Sequence, residues 1–373
     1  MAAPLDRRQF LGRSLTAGVG LIAVGGGASS LLAACSSDKK STTAAGTTLP
    51  SGSTGTAAPG SLGTLDYQLS WIKNVEFAGA YIADTDGLYT AAGFSKVNLL
   101  SGGPNVTQDA VVDSGGAFVG ISAPDITASG IVNNGNKLIA VAALFQKNPF
   151  CVMSLAKNPL PNPQAMIGKK IGVQSVNEPV WNAFLKANAI NPSDITLVPA
   201  QFNPQPLVDG EVDGWFSFIT NEPNLLKVQG VDTVTFLLND YKYPLVSQIY
   251  IVQTDTLTKE RDKLKAFLLA EIKGWHASLK DPARGANLAV TKYGADQGLD
   301  EAEQTLESKA QNLLILDDRT KTEGIMTVTP DQITENIATL ALSGIDITGD
   351  KLFDMSVLNE VYAENPDLKT VAL

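Results

Sequence analysis

Residues 65–93, LDYQLSWIKNVEFAGAYIADTDGLYTAAG, with VNLLSGGPN at 97–105, decide how this chain folds. Leu65, Tyr67, Leu69 and Trp71 alternate with Asp66, Gln68 and Ser70, which is the period of a strand with one buried face. Asn74 offers a side-chain oxygen to cap the helix that follows. On that helix Phe77, Ala80 and Tyr81 fall at i, i+3 and i+4, an apolar stripe of helical spacing. Gly87 suits a left-handed stop, and 96–100 predicts the next strand, opening into Ser101-Gly102-Gly103-Pro104-Asn105. Such a strand–helix–strand unit sends its strand ends and loops to one edge of a parallel sheet, where open α/β sheets bind ligands.

The remaining sequence is long enough for more than one such unit. At 373 residues, 44% hydrophobic and 18% charged, the chain can bury two cores. A formal charge of −10 excludes a nucleic-acid surface, which needs clustered Lys and Arg. Two cysteines, Cys35 and Cys151, make no disulfide framework. His276 is the only histidine, so zinc sites and His-dependent nucleophiles lack parts, and neither metal nor cofactor is expected.

Along the chain, AFVGI (117–121) and LIAVAAL (138–144) predict buried strands, with Ser122 opening the loop after the first. Residues 169–173 predict another strand, after which Asn177 lies in a loop and Trp181, Phe184 and Leu185 share a helix face. Residues 215–219 predict a strand leading into Asn221-Glu222-Pro223. FCVMSL and QIYIVQ, at 150–155 and 248–253, are expected to carry the chain between lobes. Residues 36–63 are Ser, Thr, Gly, Ala and Pro with almost no large apolar side chains. Such a tether cannot bury enough surface to order itself, and it reaches roughly 30 Å.

Several of these stretches carry resemblances. The pattern W-x-x-N-x-x-F-A-G-x-Y-x-A from Trp71 to Ala83 resembles the opening of the bacterial solute-binding proteins of ABC importers. That family binds thiamine-precursor pyrimidines, riboflavin, alkanesulfonates, taurine and nitrate, and its superfamily includes pyrimidine-precursor synthases. The helices around Gly274-Trp275 also resemble the family, and the likeness covers most of 65–344, patchily. Arg7-Arg8-Gln9-Phe10-Leu11 resembles a twin-arginine export motif, and Leu32-Ala33-Ala34-Cys35 resembles a lipoprotein cleavage box with Cys35 as the lipidated residue.

The resemblance implies a type II periplasmic-binding-protein fold, two α/β lobes joined by two hinge crossings with a cleft between. The expected divisions are an export signal at 1–34, a tether at 35–64, lobe 1 at 65–153 and 253–373, and lobe 2 at 154–252. The expected partners are a small heteroaromatic ligand, a permease–ATPase complex and the membrane held through Cys35, with the protein a monomer on the outer face of the cell membrane. Alkanesulfonate, taurine or nitrate binding, synthase-like catalysis and a sensing role are the alternatives. No arginine occurs between Arg13 and Arg261, which disfavours an anion. Candidate ligand contacts are Trp71, Asn74, Phe77, Tyr81, Gly102, Gly103, Asn105 and Ser122 from lobe 1, and Asn177, Trp181, Trp215, Asn221 and Glu222 from lobe 2. Each has a plainer structural role available: core packing for the aromatics, capping for Asn74, a turn for the glycines, and helix-dipole pairing for Glu222.

Overall fold

A computed structural model describes residue 58 and residues 60–103, 106–201 and 203–372. The expected export signal, Cys35, most of the expected tether and Asn105 lie outside the described residues. The strands are β1 (Thr64–Gln68), β2 (Lys96–Leu100), β3 (Val119–Ser122), β4 (Leu138–Phe145), β5 (Phe150–Leu155), β6 (Lys170–Gln174), β7 (Thr196–Ala200), β8 (Gly214–Phe218), β9 (Thr233–Leu237) and β10 (Ser247–Gln253). They form two five-stranded sheets, ordered β2-β1-β3-β10-β4 and β7-β6-β8-β5-β9.

Register shows which strand ends lie together in each sheet. β1 runs parallel to β2 and β3, whereas β10 runs antiparallel, pairing Ile249 with Ser122 and Ser247 with Phe145. The start of β10 therefore shares an edge with the ends of β3 and β4. In the second sheet β5 runs antiparallel, pairing Phe150 with Phe218 and Cys151 with Leu237. The chain leaves the first sheet after Phe145 and returns to it before Ser247, so its crossings are 146–149 and 238–246. Both crossings join the C-terminal strand edge of one sheet to that of the other, the edge at which open α/β sheets bind ligands.

This corrects the expected crossings at 150–155 and 248–253. Both segments are ladder strands, buried along nearly their whole length, which a connector between lobes would not be. Lobe 2 accordingly begins at β5 and ends with β9, earlier at both ends than the expected 154–252.

Lobe 1 packs Tyr67, Tyr89, Tyr250, Phe267 and Trp275 into one core. The helix Arg261–Lys280 crosses the helix Ala78–Thr85 at the closest approach in this core. A Cβ on Gly274 would stand 2.2 Å from the Gly79 carbonyl oxygen, and one on Gly79 would stand 2.5 Å from the Trp275 ring. Glycine on both helices is what lets the backbones meet. The C-terminal helices return to lobe 1 beside β4, where Phe353 bridges to Ala140. Among the described residues no helix is long and apolar enough to cross a membrane.

Candidate functional site

The loop after β1 is the best-built part of the cleft edge. Asn74 is buried and caps a short turn, Val75–Phe77, its Oδ1 accepting from Glu76 N at 3.2 Å. Its Nδ2 donates to Glu307 Oε1 at 3.2 Å, so the capping and recognition roles weighed for Asn74 are joined by a third, internal one. Val75 is held at both backbone groups. Its N–H donates to Gln304 Oε1 at 2.6 Å, and its carbonyl accepts from Gln311 Nε2 at 3.1 Å. Gln304, Glu307 and Gln311 all lie on the helix Glu301–Ile315, which packs against this turn and against the lobe 2 helix Glu222–Val228.

Glu76 accepts from Gln248 Nε2 and, at 3.4 Å, from Ser70 Oγ. Gln248 stands at the hinge end of β10 with φ of 51°, a left-handed backbone that non-glycine residues rarely adopt. Burial raises the Glu76 carboxyl to about 7, against the lowering effect of Gln248, Ser70 and Asn74. Glu222, in lobe 2, is buried and accepts from Phe218 N at 3.0 Å. Burial raises it also to about 7, partly offset by that N–H and its own backbone. Near neutral pH such carboxyls exist in both protonation states, so each can accept or donate a hydrogen bond.

The aromatic candidates fall mostly into cores. Phe77 and Tyr81 are buried in lobe 1, and Tyr81 stacks on Tyr293 at 4.3 Å between centroids. Trp181 packs edge-on against Phe216 in lobe 2. Trp215 is buried over Gly172, where a Cβ would stand 2.6 Å from its ring. In this structure these four rings pack in the cores, the outcome that helical or strand periodicity always allows. Trp71 is only partly buried and borders the lobe 1 core.

Among the polar candidates, the Ser122 hydroxyl donates to Asp109 Oδ1 at 2.5 Å and lies 3.1 Å from the Thr127 hydroxyl, which donates to it. Gly102 serves packing: a Cβ there would stand 2.5 Å from the backbone of residues 69–71. Gly103, with φ of 145° and open space around it, keeps the backbone freedom assigned to it. Asn177 is half-buried and donates to Gln174 Oε1 at 3.0 Å, while Asn221 is exposed beside Glu222. A cavity of about 210 Å³ lies beside the two crossings, lined by Gln146, Leu245 and Asn336, rather than over these loops.

A model of the family described as NMT1/THI5 like matches residues 74–285. The chain belongs to that family. It is 25% identical over 253 residues to the riboflavin-binding protein RibY of Chloroflexus aurantiacus, covering 65% of this chain and 71% of that protein. Among solved structures, the periplasmic aliphatic sulphonate binding protein SsuA of Escherichia coli superposes with a TM-score of 0.59 at 14% identity, over 75% of this chain and 86% of that one. The desulfurization enzyme DSZB superposes with a TM-score of 0.58 at 12% identity, over 81% and 99%. Together with the strand order, these likenesses make the fold that of the type II periplasmic binding proteins.

For this NMT1/THI5-like chain, the residues that sequence reasoning missed are Glu76, Gln248, Gln304, Glu307 and Gln311. A signal was present: Glu303, Gln304, Glu307, Ser308 and Gln311 recur at helical spacing and are buried, while Leu313 is 79% exposed. Up to Gln311 this helix is polar where it is buried, the reverse of the usual amphipathic pattern, and only its last turn buries Leu314 and Ile315.

Proposed function

We propose that this chain is an extracytoplasmic solute-binding lipoprotein of an ABC importer, and that it captures a small heteroaromatic compound by hinge closure. A thiamine-precursor pyrimidine or riboflavin is the ligand class this reading favours. Its main support is the charge of the cleft edge. Glu76 and Glu222 supply carboxyls from the two lobes, and no described arginine bonds either of them. Arg261 pairs with Glu360, Arg284 with Asp86, and Arg319 bonds Gln146, Thr327 and Gln332. A sulfonate or nitrate would meet carboxylates without a guanidinium. The edge of a ring that carries both N–H donors and acceptors would find complementary groups.

In this reading Trp71 supplies the stacking face, worth ~0.5–1.5 kcal/mol beyond burial, and Asn74, Gly103, Asn177 and Asn221 read polar edges. The ligand binds the closed state better and shifts the population toward it. The likeness to RibY supports riboflavin as the first compound to try. Cys35 would carry the lipid, and the tether would let the lobes reach a permease and its ATPase as a monomer. Catalysis finds weak footing. Burial raises the Cys151 thiol well above its ordinary range beside Ser217, and burial lowers His276 on a different lobe.

A thermal-shift series on the full chain tests the reading with riboflavin, thiamine and its pyrimidine precursors, taurine, an alkanesulfonate and nitrate. A ligand at about 100 times its Kd stabilises by about 2.7 kcal/mol. Stabilisation by an aromatic compound alone, lost in Trp71→Ala, supports the proposal. Stabilisation by an anion alone would replace it with the sulfonate or nitrate reading.

A further inference from the structure

One helix reaches both the loop after β1 and the hinge. Gln304 Oε1 accepts the Val75 N–H at 2.6 Å, and Gln311 Nε2 donates to the Val75 carbonyl at 3.1 Å. Val75 opens the short turn Val75–Phe77, where a backbone N–H has no acceptor within the turn. Towards the other end of the helix Glu301–Ile315, the Leu314 carbonyl accepts the Gln146 N–H at 2.7 Å. A carbonyl in the last helical turn needs such an outside donor. Gln146 is the first residue of the crossing 146–149. Between Gln304 and Leu314 the helix rises about 15 Å. We propose that this helix is a strut between the loop after β1 and the hinge, and that Gln304 and Gln311 are the positioning residues through which loop and crossing fix each other.

The composition of the helix favours this role over plain packing. Buried polar side chains cost desolvation unless they hold something, and what Gln304 and Gln311 hold is the backbone of Val75. Gln311 Oε1 and Ser308 Oγ on the same helix are buried and unbonded here, so the contact leaves two polar groups that a shift of the helix can satisfy. At the hinge end, Gln146 Oε1 accepts from Arg319 Nη2 at 2.6 Å and from Gln332 Nε2 at 3.0 Å. Gln332 lies on the helix Pro330–Leu342, whose Asn336 Oδ1 accepts the Val246 N–H of the second crossing at 3.1 Å. Movement at Gln146 is thereby passed to both crossings. The cavity of about 210 Å³ lies where these parts meet, with Leu314 also in its lining, and gives the crossings space to shift in an otherwise close-packed interior. The lobe 2 helix Glu222–Val228 packs against the same strut, so a displacement of the second lobe reaches it directly.

The inference rests on the reading that the loop after β1 touches the ligand, but its test does not need a ligand. Hydrogen-exchange protection of the Val75 and Gln146 amides is measured in the full chain for wild type, Gln304→Leu and Gln146→Ala. Gln304→Leu removes the acceptor of Val75, whose protection falls about tenfold for one lost buried hydrogen bond. Through the strut, the Gln146 factor falls severalfold in the same variant. Gln146→Ala keeps its backbone N–H but frees the crossing from Arg319 and Gln332, and it lowers the Val75 factor severalfold. The Ile272 amide, inside the helix Arg261–Lys280, keeps its wild-type factor in both. A Gln146 factor unchanged in Gln304→Leu overturns the proposal, as does a Val75 factor unchanged in Gln146→Ala. An equal fall at Ile272 overturns it too, because that is general loosening. If Gln304→Leu does not fold, Gln311→Leu repeats the test from the Val75 carbonyl. Bound riboflavin raises the Val75 and Gln146 factors together. Riboflavin that fails to bind counts against the flat-ring reading alone, since the variants decide the coupling with no ligand present.

Discussion

Glu271 and Glu307 are both buried glutamates of lobe 1, and both have carboxyls raised by burial, yet their donors differ in kind. Glu271 is 0% exposed and accepts from the hydroxyls of Tyr89 and Tyr250, the latter at 2.9 Å. Tyr250 in turn accepts from Trp275 Nε1 at 2.9 Å. These aromatic groups are locked in the core by the close crossing of helices at Gly79 and Gly274. Glu307 instead depends on the amides of Asn74 and Gln304, and it shares the second with Glu303. A carboxyl caged by its own hydroxyls is a fixed part of the core. One held by the amides of a loop and of its own helix ties two distant segments of the chain together.

The largest effect tests the cage. Glu271→Leu keeps the volume but removes the acceptor of two buried hydroxyls, each costing about 1–3 kcal/mol if left unpaired. A total near 3 kcal/mol in urea unfolding is expected, with Glu271→Gln costing about 1 kcal/mol because an acceptor remains. A loss below about 1 kcal/mol for the leucine variant would mean that the hydroxyls re-pair, and the contrast with Glu307 would lose its basis. Gly274→Ala comes next. It drives a methyl into the Gly79 carbonyl and against Ala83 Cβ, at about 1–3 kcal/mol.

How much of this contrast was legible in the sequence depends on the kind of pattern. The period-two run 65–71 and the apolar runs of β4 and β10 announce strands because burial needs that spacing. β7 and β9 are edge strands of lobe 2 and only half-buried, and β7 contains Pro199, so their signal is weak. Phe77 and Tyr81 show helical spacing, but spacing cannot distinguish a core from a pocket. Glu303, Gln304 and Glu307 escape a hydrophobic reading altogether, because their helix buries its polar face. Their partners at Asn74 and Val75 are more than two hundred residues away, and no local pattern encodes that pairing.

A middle-sized effect separates the two sites by pH. The folded-state value of Glu271 lies at about 7, above its ordinary 4.5. The native state thus holds more protons than the unfolded chain in that window. Stability from this group is therefore highest below about pH 4.5, falls as pH rises toward about 7, and is level above, at no more than about 1.4 kcal/mol per pH unit. Urea midpoints across pH 5–8 should show this slope shrinking in Glu271→Gln, with the Val75 amide unaffected. In Glu307→Gln the Val75 amide, bonded to Gln304, is the readout expected to change, while the cage around Glu271 keeps its share of the slope. If either variant changes both readouts equally, the two sites are one network and the comparison fails.

The smallest effect lies at Asn74, where a single atom separates two roles. As a cap, Asn74 contributes through Oδ1, and aspartate caps as well as asparagine, so Asn74→Asp should be nearly neutral if capping is all that matters. As a donor to Glu307 it contributes through Nδ2, which aspartate replaces with a further acidic oxygen beside Glu307, Glu303 and Glu76. We expect Asn74→Asp to cost about 1 kcal/mol more than the cap argument allows. The excess should be larger at pH 8 than at pH 6, because the added charge faces Glu76, whose carboxyl is raised to about 7 and carries more of its charge at the higher pH. Asn74→Ala removes both roles and adds no charge, so its cost should vary less with pH than that of the aspartate variant. Urea unfolding of the two variants at both pH values decides between the roles. An aspartate variant as stable as wild type at pH 8 would reduce Asn74 to a cap and leave Glu307 without its link to the loop.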